Sequence, residues 1–232
     1  MRRISVLLLS VLALSLCGWG QANRAGDLET VLQLMDRTAA GFHTMQADFT
    51  WDQFVRVVSS HDFQSGVMYF RRTRKDVEMS AVIKQPVIKY VLFKGGVVRV
   101  YEPKIEQVSV YDVGKNRADF QTYLVLGFGG GGSELKNAFD VRYAGTEQAQ
   151  GVNAYKLELT PKSEKVRGTF SLITLWIDPK SGLAVQQKFE EPSGDYRLAQ
   201  YSNVGLNQKL PEDVFTLKTT GKTKTVRPQG GL

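Results

Sequence analysis

From Phe49 onward, apolar residues recur at every second position in short runs, and turn sequences break each run from the next. Alternation of this kind sets one face of an extended strand against a core and the other against solvent. Phe49, Trp51, Val55 and Val57 share one parity; after Gly66, Met68 and Phe70 share another, with Arg72 next in line. Further strands fit 77–83, 88–93, 97–101 and 107–113, with a tight hairpin at Lys94-Gly95-Gly96. A second group fits 139–143, 154–160, 169–177, 183–189 and 196–201, with a last strand near 215–218. Two segments break the pattern. Asp27 is placed to cap a helix in which Leu28, Leu32, Met35, Ala39 and Phe42 recur at steps of four and three, and Gly41 would end it. Residues 118–126 also read as helical and run into Gly127-Phe128-Gly129-Gly130-Gly131-Gly132, a composition that suggests a flexible hinge.

About eleven strands in antiparallel order with few helices give a mainly β chain with helices (α+β). The expected architecture is an incomplete, strongly curved antiparallel β-barrel whose open mouth is lidded by the helices. A barrel that spans a membrane needs an unbroken apolar outer face, and Arg71, Arg72, Arg74 and Lys75 crowd one strand end.

The first residues are of another kind. Arg2 and Arg3 precede an apolar run from Ile4 to Leu16, too short to span a bilayer, and Gly20-Gln21-Ala22 offers small residues where a signal peptidase cuts. Residues 1–22 are therefore expected to be a secretory signal peptide and 23–232 a single domain, exported and soluble. Cys17 as a lipid-attachment site is the alternative, against which Leu16 counts, since small residues are preferred there. The leader holds two arginines and no acid, so the net charge of +7 falls to +5 on its removal, and the only cysteine leaves with it. Disulfide and thiol chemistry leave as well.

Little here suits catalysis. His43 and His61 are the only histidines, and neither lies near a nucleophile elbow. Two histidines without cysteine make a poor metal site, and the glycine run lacks the lysine of a phosphate loop, because Glu134 follows Ser133. The chain is expected to be no enzyme, to carry no cofactor and to bind no nucleic acid, since its modest positive charge comes with no reading motif. Binding of something apolar is the default.

Six fragments, in order, resemble one family. Phe42-His43 leading to Ala47 and Phe49, Gly66-Val67-Met68-Tyr69-Phe70-Arg71-Arg72 and Val100-Tyr101-Glu102-Pro103-Lys104-Ile105-Glu106-Gln107 come first. Leu159-Thr160-Pro161-Lys162, Trp176-Ile177-Asp178-Pro179 and Leu210-Pro211-Glu212-Asp213-Val214-Phe215 follow. Together they resemble the periplasmic outer-membrane lipoprotein carrier proteins of LolA type over nearly the whole chain after the leader. The resemblance implies a hydrophobic cavity for lipoprotein acyl chains, a monomeric carrier in the periplasm, an inner-membrane ABC-type release complex as donor and an outer-membrane acceptor. It also implies a lid-closing arginine. Alignment puts it on Arg72, and parity with Met68 and Phe70 favours Arg72 over Arg71, whereas a plain solvated basic strand end remains the simpler alternative.

The candidates for the cavity wall are Phe49, Trp51, Met68, Phe70, Val91, Phe93, Val98, Val100, Leu124, Leu126, Phe128, Phe170, Leu172 and Trp176. Periodicity alone does not separate a cavity wall from a filled core. Two rival functions therefore stay open: a lipid-sensing or lipid-storage envelope protein on the same fold, and a packed scaffold or lipoprotein anchored at Cys17. N-terminal sequencing of protein from a periplasmic fraction should find an unmodified terminus at Asn23; a diacylglyceryl adduct on Cys17 would establish the anchored form instead.

Overall fold

A computed structural model describes residues 19–74, 76–114, 124 and 126–228, with side chains from Asp27 onward. Cys17, Lys75 and most of the segment 118–126 read as helical lie outside the described residues.

The backbone of α1 (Trp19–Ala40) runs through Asp27 without a break, so Asp27 is an interior helix residue rather than a cap. Its stripe of Leu28, Val31, Leu32 and Met35 packs into the core, and the chain turns at Gly41 as expected. Six strands then form a meander: β1 (Thr44–Val55), β2 (Ser60–Arg72), β3 (Val77–Gln85), β4 (Lys89–Lys94), β5 (Val97–Glu102) and β6 (Gln107–Asp112). Between β4 and β5, Gly95 and Gly96 both take positive φ, 63° and 77°, as a two-residue hairpin turn requires.

Past α2 (Gly132–Ala138), a second meander comprises β7 (Phe139–Ala149), β8 (Val152–Pro161), β9 (Leu172–Ile177), β10 (Ala184–Glu190) and β11 (Tyr196–Leu206). A one-turn helix, α3 (Glu164–Arg167), bridges β8 and β9. The two meanders meet where β1 pairs β11, and Phe49 lies opposite Tyr201 at that seam. A short twelfth strand, β12 (Lys224–Val226), adds to the edge of β6 in parallel. The order is β12-β6-β5-β4-β3-β2-β1-β11-β10-β9-β8-β7, a single curved sheet that does not close on itself.

The segment 215–218 read as a final strand is not one; the strand forms at Lys224 instead. Phe215 is buried, with the Arg71 guanidinium 4.2 Å from its ring centroid, and Arg71 in turn bonds Glu78. The tail thus covers the outer face of β2 and β3 before it reaches β6. A buried phenylalanine in a turn gives the same local signal as one in a strand.

The main core lies on the inner face, between the sheet, α1 and the segment that enters α2. Side chains fully buried there contribute about 1.5–3 kcal/mol each. α1 and α2 meet at Gly132, where a Cβ would stand 2.3 Å from the Leu32 carbonyl oxygen. Gly132→Ala should force α1 and α2 apart and lower stability by about 1–3 kcal/mol, readable as a fall in thermal midpoint.

Candidate functional site

Register aligns two rows of side chains across the first meander. Met68, Ala81, Val91 and Val100 sit opposite one another in turn, and so do Phe70, Met79, Phe93 and Val98. β1 adds Met45, Ala47 and Phe49 to this inner surface, and the second meander adds Leu157, Leu159, Ile173, Leu175 and Ile177. Trp51 shares the parity of Phe49, yet it is 38% exposed and extends the inner face toward the β1–β2 turn. Phe170 packs half-buried at the margin, 5.3 Å from Phe189 between ring centroids.

Two candidates fall elsewhere. Trp176 and Leu172 share a parity opposite to that of Ile173, Leu175 and Ile177, so they lie on the outer face. Trp176 packs there with Ala149 and Ala154, under the Lys156 ammonium. Nearly every residue of β9 is apolar, so alternation carries no parity signal in that strand.

Leu126 and Phe128 belong to the cover rather than the wall. Residues 126–131 run between α1 and the inner face of the sheet, and Phe128 fills the middle of it, with ring centroids 5.7 Å from Phe70 and 4.5 Å from Tyr201. Leu124 is half-buried against the same core. The glycine run is no solvated hinge here. Gly127 through Gly132 are buried, and a Cβ on Gly129 would stand 2.7 Å from the Phe42 ring. Absence of side chains is what lets this backbone lie flat on its neighbours.

Among the described residues, few polar bonds hold the cover. The Arg72 guanidinium donates to the Gly129 carbonyl at 2.5 Å, and it lies 5.4 Å from the Phe42 ring centroid. Arg71 points to the other face and bonds Glu78, so Arg72 is the arginine of the pair that reaches the cover. Arg72 is exposed at the rim, however, and not buried among apolar side chains as its parity suggested. Deeper in, the Ala184 amide donates to the Gly127 carbonyl at 2.7 Å. Buried Gln187 donates to the Leu126 carbonyl and accepts from the Tyr201 hydroxyl at 3.0 Å. Burial pushes the Tyr201 phenol well above the usual tyrosine range, so it stays a neutral donor. Finally, Asp36 of α1 accepts from the Ser133 amide at 3.0 Å and its hydroxyl at 2.6 Å. Gly131 has no side chain to cap α2, and Asp36 does so from the neighbouring helix.

Gln187, Tyr201 and Asp36 were not singled out from the sequence. Gln187 had a signal: it shares the parity of Phe189 in a strand and yet is polar. The two histidines stay apart, His43 just past α1 and His61 paired with Asp52 at 2.8 Å near the β1–β2 turn. No described helix is long and apolar enough to cross a membrane.

No curated protein matches the chain by sequence. Among solved structures, an uncharacterised conserved protein from Thermus thermophilus is similar with TM-score 0.55 and 12% identity, over 87% of this chain and 99% of that one. Lipoprotein LppX of Mycobacterium tuberculosis is similar with TM-score 0.50 and 14% identity, over 80% of this chain and 98% of that one. The MucA/MucB complex of Pseudomonas aeruginosa is matched with TM-score 0.50 and 17% identity, over 83% of this chain and only 61% of that chain. At such identities the likeness is one of fold, a curved and unclosed sheet with a few helices. The family model described as outer membrane lipoprotein carrier protein LolA matches residues 40–218, well over half of the sequence, and the chain belongs to that family.

Proposed function

We propose that the protein is a periplasmic carrier that takes lipoprotein acyl chains into the space now filled by Leu126 and Phe128, and moves them from the inner to the outer membrane. The observation that carries this is the cover itself. An apolar inner surface is sealed by α1 together with one short segment, 126–131, whose carbonyls are tied by Arg72, Ala184 and Gln187. The family description and the apolar rows on β2 to β5 support the same reading.

In the closed state Phe128 makes the contacts that an acyl chain would make. Each methylene taken in is worth ~0.8 kcal/mol, so two or three chains would be held too firmly to let go. Loading must first separate Arg72 from Gly129 and Gln187 from Leu126. That cost is returned when the cover closes and the cargo leaves, so the empty state drives release. On this view the donor is an ABC-type release complex in the inner membrane, the acceptor lies at the outer membrane, and the carrier works as a monomer.

Binding of an environment-sensitive apolar dye, displaced by acyl-chain ligands, tests the cavity. Saturable uptake with displacement is expected; uptake that no acyl ligand displaces would favour a packed scaffold. Arg72→Leu removes an exposed charged donor, worth about 1 kcal/mol at its rim position, so acyl-chain affinity should rise about fivefold. Arg74→Leu, equally basic and exposed but with no bond to 126–131 among the described residues, should leave it unchanged. Gln187→Leu should do more than Arg72→Leu, about tenfold or above. It leaves the Leu126 carbonyl unpaired only while the cover is shut. A loss of affinity in either variant would make that residue a cargo contact and end the proposed role of the closed state. Reconstituted transfer between inner- and outer-membrane vesicles separates a carrier from a lipid sensor, which would bind and not deliver.

A further inference from the structure

The connections β1–β2, β3–β4 and β5–β6 fall at one end of the first meander, the end opposite Arg72 and Arg74. Each carries large aliphatic side chains turned to solvent. Val57 and Val58 are 89% and 66% exposed, Ile88 is 51% exposed with Val87 beside it, and Ile105 is 58% exposed. Isolated exposed valines are ordinary, but bulky aliphatics at three successive tips of one rim mark an interaction surface. Turn geometry does not call for them: none of these residues has positive φ, and the strained positions are the neighbouring Ser59 and Glu106.

Charge selects the partner. The second and third tips stand level, since Lys89 lies beside Tyr90, which pairs Tyr101, and the Lys89 ammonium reaches Glu102 at 3.2 Å. Lys84, Lys89 and Lys104 flank them. The tail brings Lys222 and Lys224 to the same place, where the Lys224 amide donates to the Glu106 carbonyl and Thr220 bonds the Glu106 carboxylate at 3.1 Å. Glu102 and Glu106 are the acids there, so lysines prevail by five to two. At the first tip Arg56 is offset by Asp195, which accepts from its backbone amide at 2.8 Å, and by exposed Asp62, so the basic excess belongs to the second and third tips.

We infer that this rim docks on an anionic phospholipid bilayer, its aliphatic tips entering the headgroup layer and its lysines meeting lipid phosphates. Three tips define a plane, and shallow aliphatic insertion with nearby lysines is the pairing that reversible membrane contact needs: neither signal alone holds a protein firmly. An acidic protein surface would answer the lysines but would leave the separate, protruding aliphatics without matching pockets. The inference goes beyond the carrier proposal and does not depend on it, because a protein with no cargo can dock in this way.

Sedimentation of the protein from Asn23 onward, without the expected leader, with vesicles tests it. Binding is expected to vesicles of phosphatidylethanolamine with phosphatidylglycerol, not to phosphatidylcholine alone, and it should weaken as salt is raised. Val58→Asp with Ile88→Asp should reduce binding about tenfold or more, and Lys84→Glu with Lys104→Glu likewise, at about fivefold per lysine lost. Arg74→Glu at the far end should change it less than about twofold. All five positions are solvent-exposed, so circular dichroism should show each variant folded. Absence of binding to the anionic vesicles, or binding that survives both tip variants, overturns the inference. So does a self-associated species, seen by sedimentation velocity, that Val58→Asp dissolves, because the tips would then be an interface between copies. Arg72→Leu separates the two proposals: it should alter acyl-chain affinity and leave vesicle binding as it was.

Discussion

A sheet that curls through twelve strands and stops short of closure keeps an apolar inner surface that its own edges do not seal. A fully closed barrel of this size could fill its interior with side chains from facing strands. Here the strands face a gap, and the covering must come from elsewhere in the chain. α1 supplies one part with Val31, Leu32 and Met35, and the segment 126–131 supplies the other with Leu126 and Phe128. The glycines follow from that demand. A backbone squeezed between a helix and a sheet has room for few side chains, and the contacts at Gly129 and Gly132 leave no space for even a methyl group.

The two parts of the covering are held differently. α1 buries a continuous helical stripe and is bonded to the turn after β9 through Thr38 and Ser181. Residues 126–131 bury two large side chains and otherwise depend on bonds to carbonyls, from Arg72, Ala184 and Gln187. Breaking an apolar contact and breaking a hydrogen bond differ in consequence: another apolar group can replace Phe128 against Phe70 and Tyr201, whereas nothing apolar satisfies the Leu126 carbonyl. On the proposed function, such a covering would discriminate between occupied and empty states by its polar ties rather than by its hydrophobic contacts.

Strand count, antiparallel order, the lidding by helices and the family were legible in the sequence, because alternating strands between strong turn residues leave little freedom. Arg72 entered as a lid-closing arginine only through the resemblance, and the backbone its guanidinium reaches, at Gly129, lies in the run that composition had read as a hinge. Three features were not legible. Trp176 sits in a strand apolar on both faces, so period-two reasoning has nothing to count. The glycine run was taken as a hinge, since composition reports what a backbone is free to do and not what is packed upon it. Phe215 lies in a turn clamped over Arg71, a tertiary contact between residues far apart in the sequence for which there is no local pattern.

The seam between β1 and β11 has a consequence for how the molecule comes into being. Each meander is stitched by neighbours in sequence and can form as its residues arrive, but Phe49 waits for Tyr201. Closing so long a loop is slow and costs entropy before any contact repays it. A chain threaded across a membrane from its front end would expose one flank of β1, in the middle of the finished sheet, until nearly all of its length had crossed. Until then the first half presents an unpaired edge and an uncovered apolar face, the state in which such a chain most needs protection from its own kind.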